Sequence, residues 1–263
     1  MPLPSSSLII STYNWPEALE LCLLSVARQK MLPAEVIIAD DGSGEDTRQV
    51  IERFKKTFPV PLIHIWHNDR GFRKTEILNK AIKESSSVYI IQVDGDVILH
   101  PYFIWDHLEI AEKDAFVRGT RARLTKQMTE KIILSRQTEL NALSKGVYHR
   151  LNAIRLPLFK TLGVRKEMRS RSVRGSNLAF WKSDFVLVNG YNNDLQGWGH
   201  EDEELAARFI NNRIIKKIVK LSAVQYHLHH EENSKDLESF HSITLENTVK
   251  NTLKSCANGY SCN

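Results

Sequence analysis

The chain has 263 residues, 42% hydrophobic and 25% charged, which fits one large globular domain or one domain with an appended lobe. No run reaches the ~18 uninterrupted apolar residues of a spanning helix. The short uncharged opening runs straight into a strand-like segment and lacks a signal-peptide pattern, so a cytoplasmic location is expected. The net charge of +5 conceals an asymmetry: fifteen Lys/Arg against three Asp/Glu between Arg118 and Arg174 leave that stretch at +12 and the remainder at −7. A basic middle of this kind points to an anionic partner: phosphate, acidic glycan or membrane head group.

The first hundred residues alternate short apolar runs with helical spacing. Strands are expected over residues 8–12, 35–41, 62–66 and 87–93, and helices over 16–30, 45–58 and 73–84. Pro16 suits a first helical turn. The continuous apolar runs imply strands covered on both faces, hence an α/β fold with a mostly parallel central sheet flanked by helices. In such sheets a ligand lies beyond the carboxyl ends of the strands.

Beyond Asp96 the pattern loosens. A helix is expected over 101–113, a strand over 116–124, a long amphipathic helix over 126–155 and a basic mobile loop over 162–175. Strands over 176–181, 214–219 and 223–226 and a helix over 201–211 follow, and 231–263 reads as a polar, surface-hugging tail. Cys22 sits in an apolar helical pattern and reads as a core thiol. Cys256 and Cys262 are expected as free thiols in a reducing compartment.

The expected strand ends carry the chemistry. Strand one ends in Ser11-Thr12-Tyr13-Asn14. Strand two ends in Asp40-Asp41-Gly42-Ser43, which suits a turn or a carboxylate accepting hydrogen bonds from a base or ribose. Strand four ends in Asp94-Gly95-Asp96. Two carboxylates closing an apolar run repel unless compensated, and a divalent cation such as Mg²⁺ or Mn²⁺ is the natural compensation. In Gly197-Trp198-Gly199-His200-Glu201-Asp202, Trp198 is a platform for a sugar ring and a carboxylate is a general base; helix-start chemistry explains the acids equally. His227-Leu228-His229-His230 offers imidazoles to a metal such as Mn²⁺. Strand alternation puts His227 and His229 on one face, provided the strand continues past His227.

Two other function classes compete for the same sequence features. A nicotinamide-dependent oxidoreductase requires a Gly-x-Gly-x-x-Gly turn after strand one, where this chain has Ser-Thr-Tyr-Asn-Trp-Pro. A non-catalytic binder of membranes or polyanions would use the basic 118–174 segment. No nucleic-acid motif accompanies that segment, so no nucleic-acid partner is expected.

Together, Ser11-Thr12-Tyr13-Asn14, Asp40-Asp41-Gly-Ser, the Asp94-Gly-Asp96 (DxD) motif and Glu201-Asp202 resemble glycosyltransferase family 2, inverting enzymes of the GT-A (nucleotide-diphospho-sugar transferase) fold. The Gly-Trp-Gly-x-Glu-Asp segment, with Gly190-Tyr191 ahead of it, also resembles β-1,4-galactosyltransferases and bacterial chondroitin-type polymerase modules. The resemblance covers residues 7–230. It implies a transferase domain over 1–230, with a nucleotide-binding half (1–100), an acceptor-binding half (101–230) containing the basic segment 126–175, and a tail from 231 to 263.

By the same resemblance, Tyr13 and Asp41 hold uracil with Ser11 nearby, and Asp94 binds ribose or metal. Asp96 ligates the metal, and His227 or His230 completes its shell, as the His-Leu-x-His spacing favours. Phe72, Arg73 and Lys74 form a donor-binding segment whose Arg73 or Lys74 contacts phosphate, and Asn79 buttresses that helix. Gly175-Ser176-Asn177 lines the acceptor side. Trp198 contacts both sugars, Asp202 is the base and Glu201 orients the acceptor. The implied reaction is Mn²⁺- or Mg²⁺-dependent transfer of a sugar, galacto-type favoured, from a UDP-sugar to a glycan or lipid-linked glycan acceptor in surface polysaccharide assembly. Peripheral association at the inner membrane through the basic segment is a further expectation.

Overall fold

A computed structural model describes residues 2–160, 162–231 and 238–262. The first half alternates as expected: β1 (Ser6–Thr12), α1 (Pro16–Ala27), β2 (Glu35–Asp40), α2 (Glu45–Lys55), β3 (Leu62–Trp66), α3 (Lys74–Glu84) and β4 (Tyr89–Asp94). These four strands pair in parallel in the order β3-β2-β1-β4. Successive residues of β1 enter opposite layers: Leu8 and Ile10 pack with α1 and α2 residues such as Leu23 and Ile51, whereas Ile9 packs with Ile77 and Leu78 of α3. Both faces are therefore dry, which is why the strands read as unbroken apolar runs. Register sets Ser11 beside Asp94 and Thr12 beside Asp40, bringing the polar strand ends to one rim.

The second half adds β5 (Val97–Leu99), α4 (Phe103–Ile110), β6 (Ala115–Arg118), β7 (Ala122–Leu124), α5 (Lys126–Ser135), β8 (Val147–Tyr148) and β9 (Val164–Glu167). It continues with β10 (Leu178–Trp181), α6 (Lys182–Leu187), α7 (Glu201–Asn211), β11 (Ile215–Val219), β12 (Gln225–His227) and α8 (Glu238–Lys250). The large sheet extends through β4-β10-β6-β11-β9, with β10 antiparallel to both neighbours. A second sheet runs β5-β12-β7-β8 over its own apolar layer, which includes Ile98, Leu124, Val147 and Tyr226.

Three expected elements are corrected. The helix expected over 126–155 stops at Ser135, where Arg136 adopts a left-handed conformation (φ 53°) and its N–H bonds to the Ile132 carbonyl. Gly146, inside the expected helix, has φ +85°, and a Cβ there would meet the Met128 Cβ at 2.6 Å, so the turn into β8 requires glycine. The loop expected over 162–175 contains β9, which pairs antiparallel with β11 at the sheet edge. Charged residues hide its alternation, and the buried Lys216 binds Glu167 at 2.7 Å. The single strand expected over 116–124 divides between the two sheets at Gly119. A Cβ on Gly119 would lie 2.3 Å from the Asn177 side chain.

The segment read as a polar tail carries α8, which packs on α7. Its residues 232–237 lie outside the described residues. Cys22 is fully buried, and all three cysteines are free thiols. No helix among the described residues is long and apolar enough to cross a membrane.

Candidate active site

A cleft of about 890 Å³ opens at the carboxyl rim of β1, β2 and β4 and is closed on its far side by the start of α7 and the end of β12. Ser11, Tyr13, Asp41, Phe72, Lys74, Asp94, Asp96, Trp198, Glu201, Asp202, His227 and His230 all line it. Of the residues predicted to line the site, Arg73 and Asn177 do not; Asn177 is buried, its amide bonded to the Thr120 and Ala223 carbonyls. The Arg73 guanidinium bonds to Glu76 at 3.1 Å and to the Asn68 carbonyl, and only its backbone N–H serves the site, donating to Asp41 at 2.9 Å.

At the β2 end of the cleft, Asp41 accepts from His67 Nε2 at 2.7 Å as well as from Arg73. Its carboxylate thus ties the end of β2 to the segment carrying Phe72. Gly42 has φ +99°, and a Cβ there would sit 2.6 Å from the Asp69 Cα; the turn after Asp41 is built for close approach. Tyr13 donates its hydroxyl to Asp69 at 2.9 Å. His67 and Asp69 escaped the sequence reading, since neither belongs to a motif.

Asp94 accepts from Ser11 Oγ at 2.8 Å and from Lys74 Nζ at 2.7 Å. Burial by itself would lower the Lys74 ammonium, but the carboxylates of Asp94, Asp202 and Glu201 hold it well above its ordinary value. Lys74 therefore stays charged at the centre of the cleft.

Asp96 points to the other side. Its Oδ2 lies 3.4 Å from His227 Nε2 and 3.1 Å from His230 Nε2, and one ligand atom from each residue falls within 4.8 Å of the others. Asp96 Oδ1 is buried with no hydrogen-bond partner. Burial would raise this carboxyl, yet His227, His230 and Lys74 bring it down to about 2. β12 ends at His227, so strand alternation does not extend to His229. The turn after His227 puts His230 beside Asp96, while the backbone N–H of His229 bonds to Thr129 Oγ1. Trp15 meets the His230 ring edge-on at 5.9 Å. Two imidazoles and a carboxylate with an orphaned oxygen suit a Mn²⁺-type ion.

The acidic pair opens α7. Asp202 Oδ2 accepts from the Gly175 N–H at 2.6 Å, and Oδ1 accepts from the Tyr191 hydroxyl at 2.9 Å. Gln92 Nε2 in turn donates to the Tyr191 oxygen at 2.9 Å. A Cβ on Gly175 would fall 2.7 Å from Asp202, so the glycine is required for this contact. Burial raises the Asp202 carboxyl; Lys74, Gly175 and Tyr191 partly offset it. Glu201 is buried beside Asp202 and is raised to about 7 by burial first and by that repulsion second. Asn79 grips Tyr191 through its backbone, accepting from its N–H at 2.9 Å and donating to its carbonyl at 2.8 Å. Asn79 thus joins α3 to the loop before α7.

Sequence reasoning also missed Tyr191 and Gln92 as partners of the acid, and Arg121, Arg123 and Arg174, which line the cleft. The Arg121-x-Arg123 alternation within an expected strand was the available signal for two of the arginines.

The model of glycosyl transferase family 2 matches residues 7–166, and that of the N-terminal domain of galactosyltransferase matches 161–231. Among curated relatives, the chain is 24% identical to a chondroitin synthase of Escherichia coli over 91% of its length and 37% of that protein's. It is 27% identical to a hyaluronan synthase of Pasteurella multocida over 91% of its own length and 26% of the relative's. The chain therefore spans only a quarter to about a third of these relatives. A Pyrobaculum calidifontis mannosyltransferase solved with GDP-Man and Mn²⁺ aligns with TM-score 0.60 at 16% identity, covering 86% of this chain and 57% of that one. GalNAc-T7 solved with UDP, GalNAc and Mn²⁺ aligns with TM-score 0.66 at 13% identity, covering 94% and 48%. These likenesses identify the GT-A fold. With more than half its length under one family model and the strand-end carboxylates gathered in one cleft, the chain belongs to glycosyl transferase family 2.

Proposed function

We propose that this chain is a metal-dependent inverting glycosyltransferase that moves a sugar from a UDP-sugar to the hydroxyl of a glycan or lipid-linked glycan. One observation carries the reading: a single cleft is lined by the Asp96–His227–His230 cluster and by a buried carboxylate pair at the start of α7. The first suits a cation that neutralises a departing diphosphate, and the second suits proton removal from an acceptor.

Asp96, His227 and His230 are the residues to hold Mn²⁺ or Mg²⁺, with imidazole ligation favouring Mn²⁺. When bound, that ion supplies positive charge to the leaving UDP. The chain's own residues do the rest. Lys74 adds a fixed cation facing the phosphates. Tyr13, Asp41 and Ser11 bound the nucleotide end, Phe72 and Trp198 give apolar surface for the sugars, and Glu201 orients the acceptor. Asp202, held at both oxygens, accepts the acceptor proton as its oxygen attacks the anomeric carbon opposite the nucleotide. Held positioning of this kind supplies a large share of the rate.

A galacto-type donor is favoured by the match to the galactosyltransferase model and the likeness to an enzyme solved with GalNAc. Calorimetry of UDP with and without Mn²⁺, followed by a screen of UDP-sugars for metal-dependent hydrolysis, tests the reading. UDP binding that ignores both Mn²⁺ and the loss of Asp96 would sink it.

A second property rests on its own observation. Leu134, Leu143, Leu151, Leu158 and Leu162 are 79–90% exposed within the basic segment. Apolar side chains among Lys and Arg suit the interface of an anionic bilayer, and peripheral association through this segment is part of the proposal. Sedimentation with anionic and neutral vesicles checks it, and equal failure to bind both refutes it.

A further inference from the structure

The second sheet carries positive charge that the transfer reaction leaves without a use. Ala122 and Leu124 of β7 are fully buried beneath the sheet, so the alternating Arg121 and Arg123 emerge on the opposite face, where both line the cleft. Register sets Arg123 beside His227 on one side and Tyr148 on the other. Arg174 joins them from the loop immediately before Gly175, whose N–H holds Asp202. Among the described residues none of the three guanidinium groups makes a hydrogen bond or ion pair, and Arg121 Nε is buried without a partner.

Such a cluster is costly by itself. Burial and the neighbouring Arg174 and Arg123 charges push the Arg121 guanidinium down to about 10. Three central carboxylates of the cleft are already engaged: Asp94 by Lys74 and Ser11, Asp202 by Gly175 and Tyr191, and Asp96 by the two histidines. Asp94 and Asp96 offset part of the Arg121 charge, and an anion arriving with a ligand would compensate the rest. On the transferase reading a donor diphosphate would face Lys74 and the Asp96 cluster, an end of the cleft that Arg121 also borders, since its charge reaches Asp94, Asp96 and His227. From there the cluster runs through Arg123 on β7 to Arg174 on the loop that holds the candidate base, beside which an acceptor hydroxyl would lie.

We propose that Arg121, Arg123 and Arg174 form an oxyanion subsite for a negatively charged group on the acceptor glycan. This rests on the transferase reading of the same cleft. The planar guanidinium forks match either a carboxylate, as in a uronic acid residue, or a phosphodiester.

Three tetrasaccharides titrated by calorimetry, with and without UDP and Mn²⁺, test the subsite: one ending in a uronate, its carboxyl-reduced neutral counterpart, and one bearing a phosphodiester. One of the charged glycans is expected to bind about tenfold tighter than the neutral one, and the winner assigns the group. The Arg123→Gln/Arg174→Gln protein is expected to lose that preference while its Mn²⁺-dependent UDP binding, which also reports a folded cleft, changes by less than about twofold. Equal binding of charged and neutral glycans overturns the proposal. So does a variant that loses UDP binding but keeps the preference for charge, which would move the arginines to the donor. A wild-type chain that prefers the charged glycan yet ignores UDP and Mn²⁺ keeps the subsite and removes the transferase reading.

Discussion

The Tyr191 hydroxyl donates a 2.9 Å hydrogen bond to Asp202, and Gln92 on β4 donates to the oxygen of that hydroxyl, so the candidate base on α7 is oriented from the centre of the large sheet. Tyr191 is fully buried and fixed by Asn79, so its hydroxyl has little freedom to leave. The Tyr191→Phe protein keeps the packing and loses one hydrogen bond to a carboxylate, about 1.5–3 kcal/mol. That bond favours the ionised form, so its loss raises the Asp202 pKa. The acid limb of the kcat/KM profile moves to higher pH and kcat falls about tenfold, with the KM for the donor unchanged. A rate loss without movement of the acid limb would show a purely structural role.

Replacing the proposed base itself is expected to have a larger effect. Asp202→Asn keeps the side-chain shape and one oxygen to accept from the Gly175 N–H, turns the other position into a donor toward the Tyr191 oxygen, and cannot take a proton. Transfer is expected to fall roughly 10²–10⁴-fold, with metal-dependent UDP binding preserved. Normal turnover of this variant, measured by UDP release, refutes the assignment.

Glu201 predicts a pH signature in stability. Its carboxyl rises from 4.5 in the unfolded chain to about 7 in the folded one. The folded state thus favours the protonated form; its contribution is complete below pH 4.5 and is lost as pH climbs through 7. Glu201→Gln, which stays neutral, should therefore gain thermal stability over the wild type between pH 5 and pH 8. A constant Tm difference across that range contradicts the expected shift.

The Asp96 cluster predicts a metal dependence. Asp96→Ala and His230→Ala are each expected to lose the Mn²⁺-dependent part of UDP binding, and a chelator should do the same to the wild type. His229→Ala is expected to leave it intact, because His229 lies outside the cluster. Calorimetric titration of UDP at fixed Mn²⁺ compares the three.

The α8 helix predicts a role for the tail in the cleft. His241 is fully buried with Nδ1 2.6 Å from the Gly199 carbonyl and Nε2 2.9 Å from that of Gln196, so it brackets the Trp198 loop. His241→Leu abandons two carbonyls in a buried setting, at about 1–3 kcal/mol each. Urea denaturation should show a loss of that order, and a looser Trp198 should raise the KM for sugar substrates. An unchanged KM in a folded variant argues against the second effect.

The rim of the site was legible because its signal is local. An apolar run such as Leu8 to Ile10 can only be a strand with two dry faces, and the abrupt change to Ser11, Asp41 or Asp94 marks where such strands meet solvent. The acidic start of α7 was equally visible. Departures came where a backbone turn or an ion pair overrode the pattern. The left-handed Arg136 ended a helix whose apolar spacing ran on, and Lys216 with Glu167 turned an apparent loop into β9.

What the sequence determined by itself is the sequence of layers and the chemistry at each strand end, since both follow from the burial period of neighbouring residues. Only the tertiary structure decided which distant groups meet. Asp96 meets His230 rather than His229, Tyr191 turns onto Asp202, and Arg174 joins Arg121 and Arg123. Those meetings depend on where a strand ends and how two sheets close on one another; the His-Leu-x-His spacing pointed to His230 only by resemblance, and no spacing along the chain encodes the other two.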